Sequence, residues 1–173
     1  MIRKEDVYKI GKIGKPHGVK GELSFMFSDD VFDRVDAEYL VLDIDGILVP
    51  FFITDYRFRS DETALLSLEG IDSQEKARQL TNTDVYFPRS LSDTDEGDLS
   101  WAEIAGFSLF NKSEYHPVPE KVGIIAIVDD TTENILFELE DGRLIPAAEE
   151  LIVEVDAKDR KIIMNIPEGL LEI

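Results

Sequence analysis

Apolar and polar residues alternate at every second position through much of this chain, a period that predicts strands rather than helices. Val7 to Ile13 follows it, as does Glu22 to Phe27, which places Leu23, Phe25 and Phe27 on one face. Tyr39 to Ile44 and Ile47 to Thr54 flank Asp45-Gly46, the dipeptide best suited to a tight two-residue hairpin turn. Pro50 marks an edge or a bulge in the second of these strands. Thr63 to Leu68 and Val85 to Phe87 are further strands, and Asp29 to Val35 allows one helical turn. Asp72 to Leu80 predicts a true helix: Asp72 can cap it, Glu75 lies three residues on, and Ala77 and Leu80 share a face. Short strands separated by turn signals point to a small β-barrel rather than a βαβ fold.

Arg89 to Asp98, RSLSDTDEGD, is polar and has no strand period, as expected of a linker. Beyond it, Leu99 to Phe110 opens a second unit. Val122 to Val128, Ile135 to Glu140, Arg143 to Ile145, Leu151 to Val155 and Lys161 to Ile166 are its strands, with hairpin turns at Asp141-Gly142 and Asp156 to Arg160. The expected architecture is mainly β: two tandem small β-barrels joined by a short linker, with one short helix in the first. The divisions fall at residues 1–88, 89–98 and 99–173.

One stretch breaks the pattern. Gly11 to Leu23, GKIGKPHGVKGEL, holds four of the chain's eleven glycines and reads as a shaped loop between two strands, with Lys12, Lys15, His17 and Lys20 on it. Up to Gly21 there are six Lys or Arg and two acids; the remainder has 12 basic and 35 acidic side chains. A cationic island on a chain of net charge −19 can turn one face towards a polyanion, because physiological salt screens more distant charges beyond roughly 8–10 Å. The rest of the chain argues against ordinary nucleic-acid binding and suits a basic protein partner. A solvated hairpin with no binding role explains the same glycines and lysines equally well.

Little chemistry is visible. The chain lacks cysteine, and His17 and His116 stand too far apart in sequence to suggest a metal pair, so no metal and no cofactor are expected. Neither G-x-S-x-G nor G-x-x-x-x-G-K-[ST] occurs. Gly11 to Gly14 and Gly18 to Gly21 match the G-x-x-G of a KH domain, but strands flank them where helices are required. Phe51, Phe52, Tyr56 and Phe58, with Arg57 and Arg59, have the composition of a base-stacking surface, though core filling is the simpler account. Trp101 is expected to be a packing anchor between the two units. With no apolar run near 18 residues and no signal-peptide core at the N-terminus, a cytoplasmic protein without a membrane span is expected.

Four stretches, in order, resemble one family. IGKPHGVKGEL is similar to the opening signature of RimM, the ribosome maturation factor family of bacteria. LEGIDSQEKARQL at Leu68 to Leu80, WAEIAGF at Trp101 to Phe107, and the tail from Leu144 to Ile173 resemble its later segments. The resemblance implies a barrel like those of translation factors followed by a PRC-type barrel. It also implies a non-catalytic chaperone of the small ribosomal subunit precursor, acting on maturation of the head and processing of its rRNA. Small-subunit ribosomal protein nineteen would be bound by the C-terminal barrel. The expected site residues are Lys12, Lys15, His17, Gly18, Lys20 and Gly21 towards RNA, and Trp101, Glu103, Gly106 and Phe107 towards the protein partner or between the domains; the chain is expected to act as a monomer. The family usually shows tyrosines where this chain has Leu99 and Ser100, and an aspartate where it has Glu103. That removes the aromatic hydroxyls and leaves the fold expectation intact. The turn DDTTEN at 129–134 is only loosely like the family's. Two other readings remain: a protein-binding scaffold without RNA contact, and an RNA-acting enzyme using His17 as acid or base.

Overall fold

The computed structural model describes residues 1–92 and 99–171. It divides into two compact units, Met1–Asp93 and Thr94–Ile173. Residues 93–98, most of the expected linker, lie outside the described residues; Arg89–Leu91 before them forms a single 3-10 turn.

The first unit contains β1 (Val7–His17), β2 (Glu22–Phe27), α1 (Val31–Arg34), β3 (Tyr39–Ile44), β4 (Ile47–Phe58), β5 (Thr63–Leu68), α2 (Gln74–Gln79) and β6 (Asp84–Pro88). Its strands close into a barrel in the order β1-β2-β5-β4-β3-β6. Ile10, Ile13, Leu23, Phe25, Leu40, Leu42, Leu66 and Phe87 alternate inward and are fully buried, each contributing about 1.5–3 kcal/mol by leaving water. Three strands also bury residues on the other face. Val7, Val41 and Tyr86 form a small second cluster, covered by Ile2, Tyr39 and Leu48.

Local chemistry explains most element ends. Asp45 and Gly46 both take positive φ, 54° and 85°, as a tight hairpin turn demands, and Asp43 Oδ1 accepts from the Gly46 N–H at 2.7 Å. β4 runs on through Tyr56 and Phe58, further than its alternation suggested. At Pro50 it has β3 on one side and no ladder on the other, because β5 joins it only from Ile53, so the missing N–H costs nothing. The cap of α2 is Ser73 rather than the expected Asp72: Ser73 Oγ accepts from the Lys76 N–H, while Asp72 forms an ion pair with the Lys76 ammonium at 2.9 Å.

At the barrel end where β2 finishes, Phe25, Phe27, Phe32, Tyr56 and Phe58 stack with centroids 5.4–6.0 Å apart. Tyr56 and Phe58 of the expected aromatic string join this packing, though Phe58 remains 44% exposed; Phe52, 48% exposed, lies on the outside against Tyr39. The Tyr56 hydroxyl donates to Asp33 Oδ1 at 2.6 Å, and that bond, with burial and the carboxylates of Asp33 and Asp36, pushes its pKa up to about 12. An unfolded tyrosine ionises near 10. Any stability from this bond is therefore complete below about pH 10 and lost as pH rises through about 12. Absorbance titration of the phenolates should show a step near pH 12 that Tyr56→Phe removes; an unchanged curve would assign that step to another tyrosine.

The second unit contains α3 (Trp101–Ile104), β7 (Ser108–Asn111), β8 (Glu120–Asp129), β9 (Leu136–Leu139), β10 (Leu144–Pro146), β11 (Ile152–Asp156) and β12 (Lys161–Met164). Its sheet has the order β10-β9-β8-β7-β12-β11, and the β7–β12 pair is parallel. Ile145 of β10 and Ile162 and Met164 of β12 share one core with Leu109, Ile125 and Phe137, so the sheet must curl round that core.

Candidate nucleic-acid interface

The glycine-dense stretch is mostly strand. β1 continues through Lys12 and Lys15 to His17, and only Gly18 to Gly21 forms the turn, in place of the long loop expected from Gly11 to Leu23. Cross-strand pairing captures the glycines. Gly11 sits opposite Phe27, and a Cβ there would come within 2.2 Å of the Met26 carbonyl oxygen. The register slips by one residue between Ile13 and Pro16, a bulge that takes up Gly14 and Lys15 and re-aims the strand end. Gly18 and Gly21 take φ of +71° and +89°, closed to most side chains, so both expected RNA-contact glycines have a backbone reason to be there.

The turn is braced. A Cβ on Gly21 would lie 2.3 Å from the Ile71 carbonyl oxygen and 3.0 Å from the Ser73 nitrogen, so the turn rests against the segment that leads into α2. Lys15, His17 and Lys20 are exposed around it, with Val19 at 75% exposure between them. Lys12 is separated from this group. It is half-buried, pairs in register with Asp84 of β6, and stands three residues before Lys15, roughly 10 Å along a strand, and five before His17, roughly 16 Å. At about one screening length from Lys15, its coupling to the tip is weakened by physiological salt.

Opposite His17 in register is Glu22, whose carboxylate is gripped by both Arg57 nitrogens at 3.1 and 3.2 Å. Among the described residues no group hydrogen-bonds the His17 imidazole, so nothing there orients it for proton transfer. α2 packs against β1 and β2 and presents Lys76 and Arg78 to solvent beside the hairpin. Neither is among the expected site residues; the helical period of residues 74–79, which leaves both off the Ala77 face, is the signal that marks them as exposed.

At the far end of the barrel an open hollow of about 490 Å³ is lined by Phe27, Phe58, Asp30, Asp33, Arg59 and Asp61. Two of its carboxylates are already engaged, Asp30 by Arg34 and Asp33 by Tyr56. Among the described residues no three His, Asp or Glu side chains converge as metal ligands, and no helix is long and apolar enough to cross a membrane.

The expected protein-facing residues have local roles in the second unit. Trp101, expected to anchor one unit on the other, packs its ring on Phe137 of its own unit at 6.0 Å. Glu103 is 3% exposed and closes a capping box: its carboxylate accepts from the Ser100 N–H at 3.1 Å, and Ser100 Oγ accepts from the Glu103 N–H at 3.4 Å. Ser100, one of the departures from the family pattern, is thus a helix cap. Phe107 is 2% exposed in the core, and Gly106, at φ 94°, donates to the Ile125 carbonyl at 2.7 Å. Glu103 and Phe107 have no surface to offer a partner.

A closed barrel and a second curled sheet, joined in that order, define a class. The RimM N-terminal domain model matches residues 8–92 and the RimM PRC barrel domain model matches residues 101–170. The chain is 50% identical to the ribosome maturation factor RimM of Bacteroides thetaiotaomicron, over 100% of this chain and 97% of that protein. It is 49% identical to that of Phocaeicola vulgatus, over 99% and 100%. The chain belongs to the RimM family of ribosome maturation factors. The solution structure of the RimM N-terminal domain from Thermus thermophilus is similar over 49% of this chain and 91% of its own, at 25% identity and a TM-score of 0.40.

Proposed function

We propose that this chain is a non-catalytic, cytoplasmic assembly chaperone that binds the immature small ribosomal subunit, with the hairpin tip on ribosomal RNA and the acidic second unit on a basic ribosomal protein. The observation that carries it is the placement of Lys15, His17 and Lys20 on a braced, solvent-exposed tip of an otherwise acidic chain. Two lysines and an imidazole on one projection supply a few phosphate contacts, enough for a local docking point and too few to hold RNA unaided. Residues 99–173 carry 16 acids against 6 Lys or Arg, which suits a basic protein; the family resemblance points to small-subunit protein nineteen.

A chaperone of this kind works by differential affinity. Tighter binding to the immature head than to the mature one shifts the head towards its receptive state and releases the factor on completion. Sedimentation of the chain with purified immature small, mature small and large subunits tests this. Selective recovery with immature small subunits is expected, and equal recovery with all three would overturn it. Binding that survives nuclease treatment unaltered would favour a protein scaffold without RNA contact, which the acid surplus of residues 99–173 also fits.

A further inference from the structure

The two edges of the second unit's sheet are built differently. β10 spans only Leu144–Pro146 and ends on a proline, which has no N–H to offer another strand. β11 spans Ile152–Asp156, has no proline, and pairs only with β12 among the described residues. Among the described residues no strand pairs with its other side, which leaves that row of backbone donors and acceptors outside the sheet's ladders. Val153 and Val155 beside them are 53% and 38% exposed. From 149 to 156 the chain has four acids, Glu149, Glu150, Glu154 and Asp156, and no Lys or Arg. Lys161 reaches Asp156 at 3.8 Å; among the described residues no ion pair engages Glu149, Glu150 or Glu154.

Proteins blunt sheet edges with bulges and charge, and this edge has both, its register slipping by one residue between Ile152 and Glu154. Charge of one sign blunts selectively. A second copy of β11 would set carboxylate near carboxylate, at cross-strand spacings of about 4.5–5.5 Å where like charges repel. A strand with Lys or Arg at alternate positions meets the opposite situation: main-chain hydrogen bonds supply the attraction, and the acids select the sequence.

We infer that β11 is the docking edge for an extended, lysine- or arginine-rich segment of a protein, which joins the sheet as an added strand. The inference rests on the proposed basic ribosomal-protein partner and names the element that holds it.

Backbone amide exchange of the full chain tests it, with three probes: a peptide of alternating Lys and Val, one of alternating Glu and Val, and a Lys-rich peptide interrupted by prolines so that it cannot form a strand. The Lys–Val peptide is expected to slow exchange in residues 152–156 at least tenfold and the other two to leave it unchanged. Glu150→Lys with Glu154→Lys, both exposed changes, should abolish that protection and cut recovery with immature subunits at least fivefold. Equal protection by the proline-interrupted peptide, protection spread over other acidic surfaces, or unchanged subunit recovery by the double variant would overturn the inference. Slowed exchange that grows with protein concentration, accompanied by dimerisation, would assign the edge to a second copy and overturn it too. The two proposals fail separately. Subunit binding with β11 amides left unprotected removes only the edge. Peptide protection of β11 without subunit binding supports the edge and removes the proposed function.

Discussion

Gly21→Ala is expected to destabilise the first unit by about 3–4 kcal/mol, whereas Gly18→Ala, three residues away in the same turn, should cost only about 1–2 kcal/mol. Both glycines have positive φ, so both substitutions incur the left-handed strain of an L-residue. Only at Gly21 does the new methyl also meet backbone, at 2.3 Å from the Ile71 oxygen; at Gly18 it would meet nothing within 4 Å. Backbone cannot rotate aside as a side-chain tip can, so either the turn lifts or the segment leading into α2 moves. For a unit of this size the difference corresponds to a melting temperature lower by roughly 10 °C in the Gly21 variant than in the Gly18 variant. Thermal unfolding followed by circular dichroism reads it directly. Equal shifts in the two variants would mean that the tip is not braced.

Reversing two charges at the tip, Lys15→Glu with Lys20→Glu, is expected to weaken binding to immature small subunits on the order of 100-fold at low salt. In the milder Lys15→Ala, Lys20→Ala variant, the slope of log affinity against log salt should fall by roughly 1.4–1.8. Each lysine that meets a phosphate releases about one counterion, so the slope counts contacts where affinity alone does not. Lys12→Ala is the internal comparison: half-buried and opposite Asp84, it should alter the slope by less than either tip lysine. Neither exposed lysine supports the core, so folding should survive all these changes. An unchanged slope in the double alanine variant would take the hairpin out of the mechanism.

Much of the fold was legible from period and turn chemistry. The Asp45-Gly46 hairpin, the single helical turn at Val31–Arg34, the short helix after Leu68 and the short strands of the second unit all appear in the structure. Those features are local: two residues with positive φ, or alternation across five or six positions. The candidate site was less legible. Glycine density predicts a loop because glycine is permissive, but it cannot distinguish a loop from a strand whose partners press too close for a Cβ. Gly11 is the second case, forced by the Met26 carbonyl across the ladder. The same limit placed Lys12 at the tip with Lys15 and Lys20. The bulge between Ile13 and Pro16 decides where the strand ends, and it belongs to the pairing rather than to either strand alone.

Glu103 and Phe107 show the reverse limit. A motif shared with a family marks positions that matter without saying whether they matter to a partner or to the fold. Here a capping box and a packed ring account for both.

By itself the sequence determined that the protein is mostly strand, that it falls into two parts, and that a local excess of positive charge sits near one end of an acidic chain. These follow from which residues neighbour each other along the chain. Only the tertiary structure decided the strand order in which the first barrel closes, that Lys15, His17 and Lys20 share a braced tip while Lys12 lies in the strand before it, and that among the described residues β11 is a sheet edge with Glu154 and Asp156 on it. The reason is that barrel closure, bulges and edges are properties of hydrogen-bonded pairs between strands distant in sequence, and one-dimensional periodicity carries no record of which strand lies beside which.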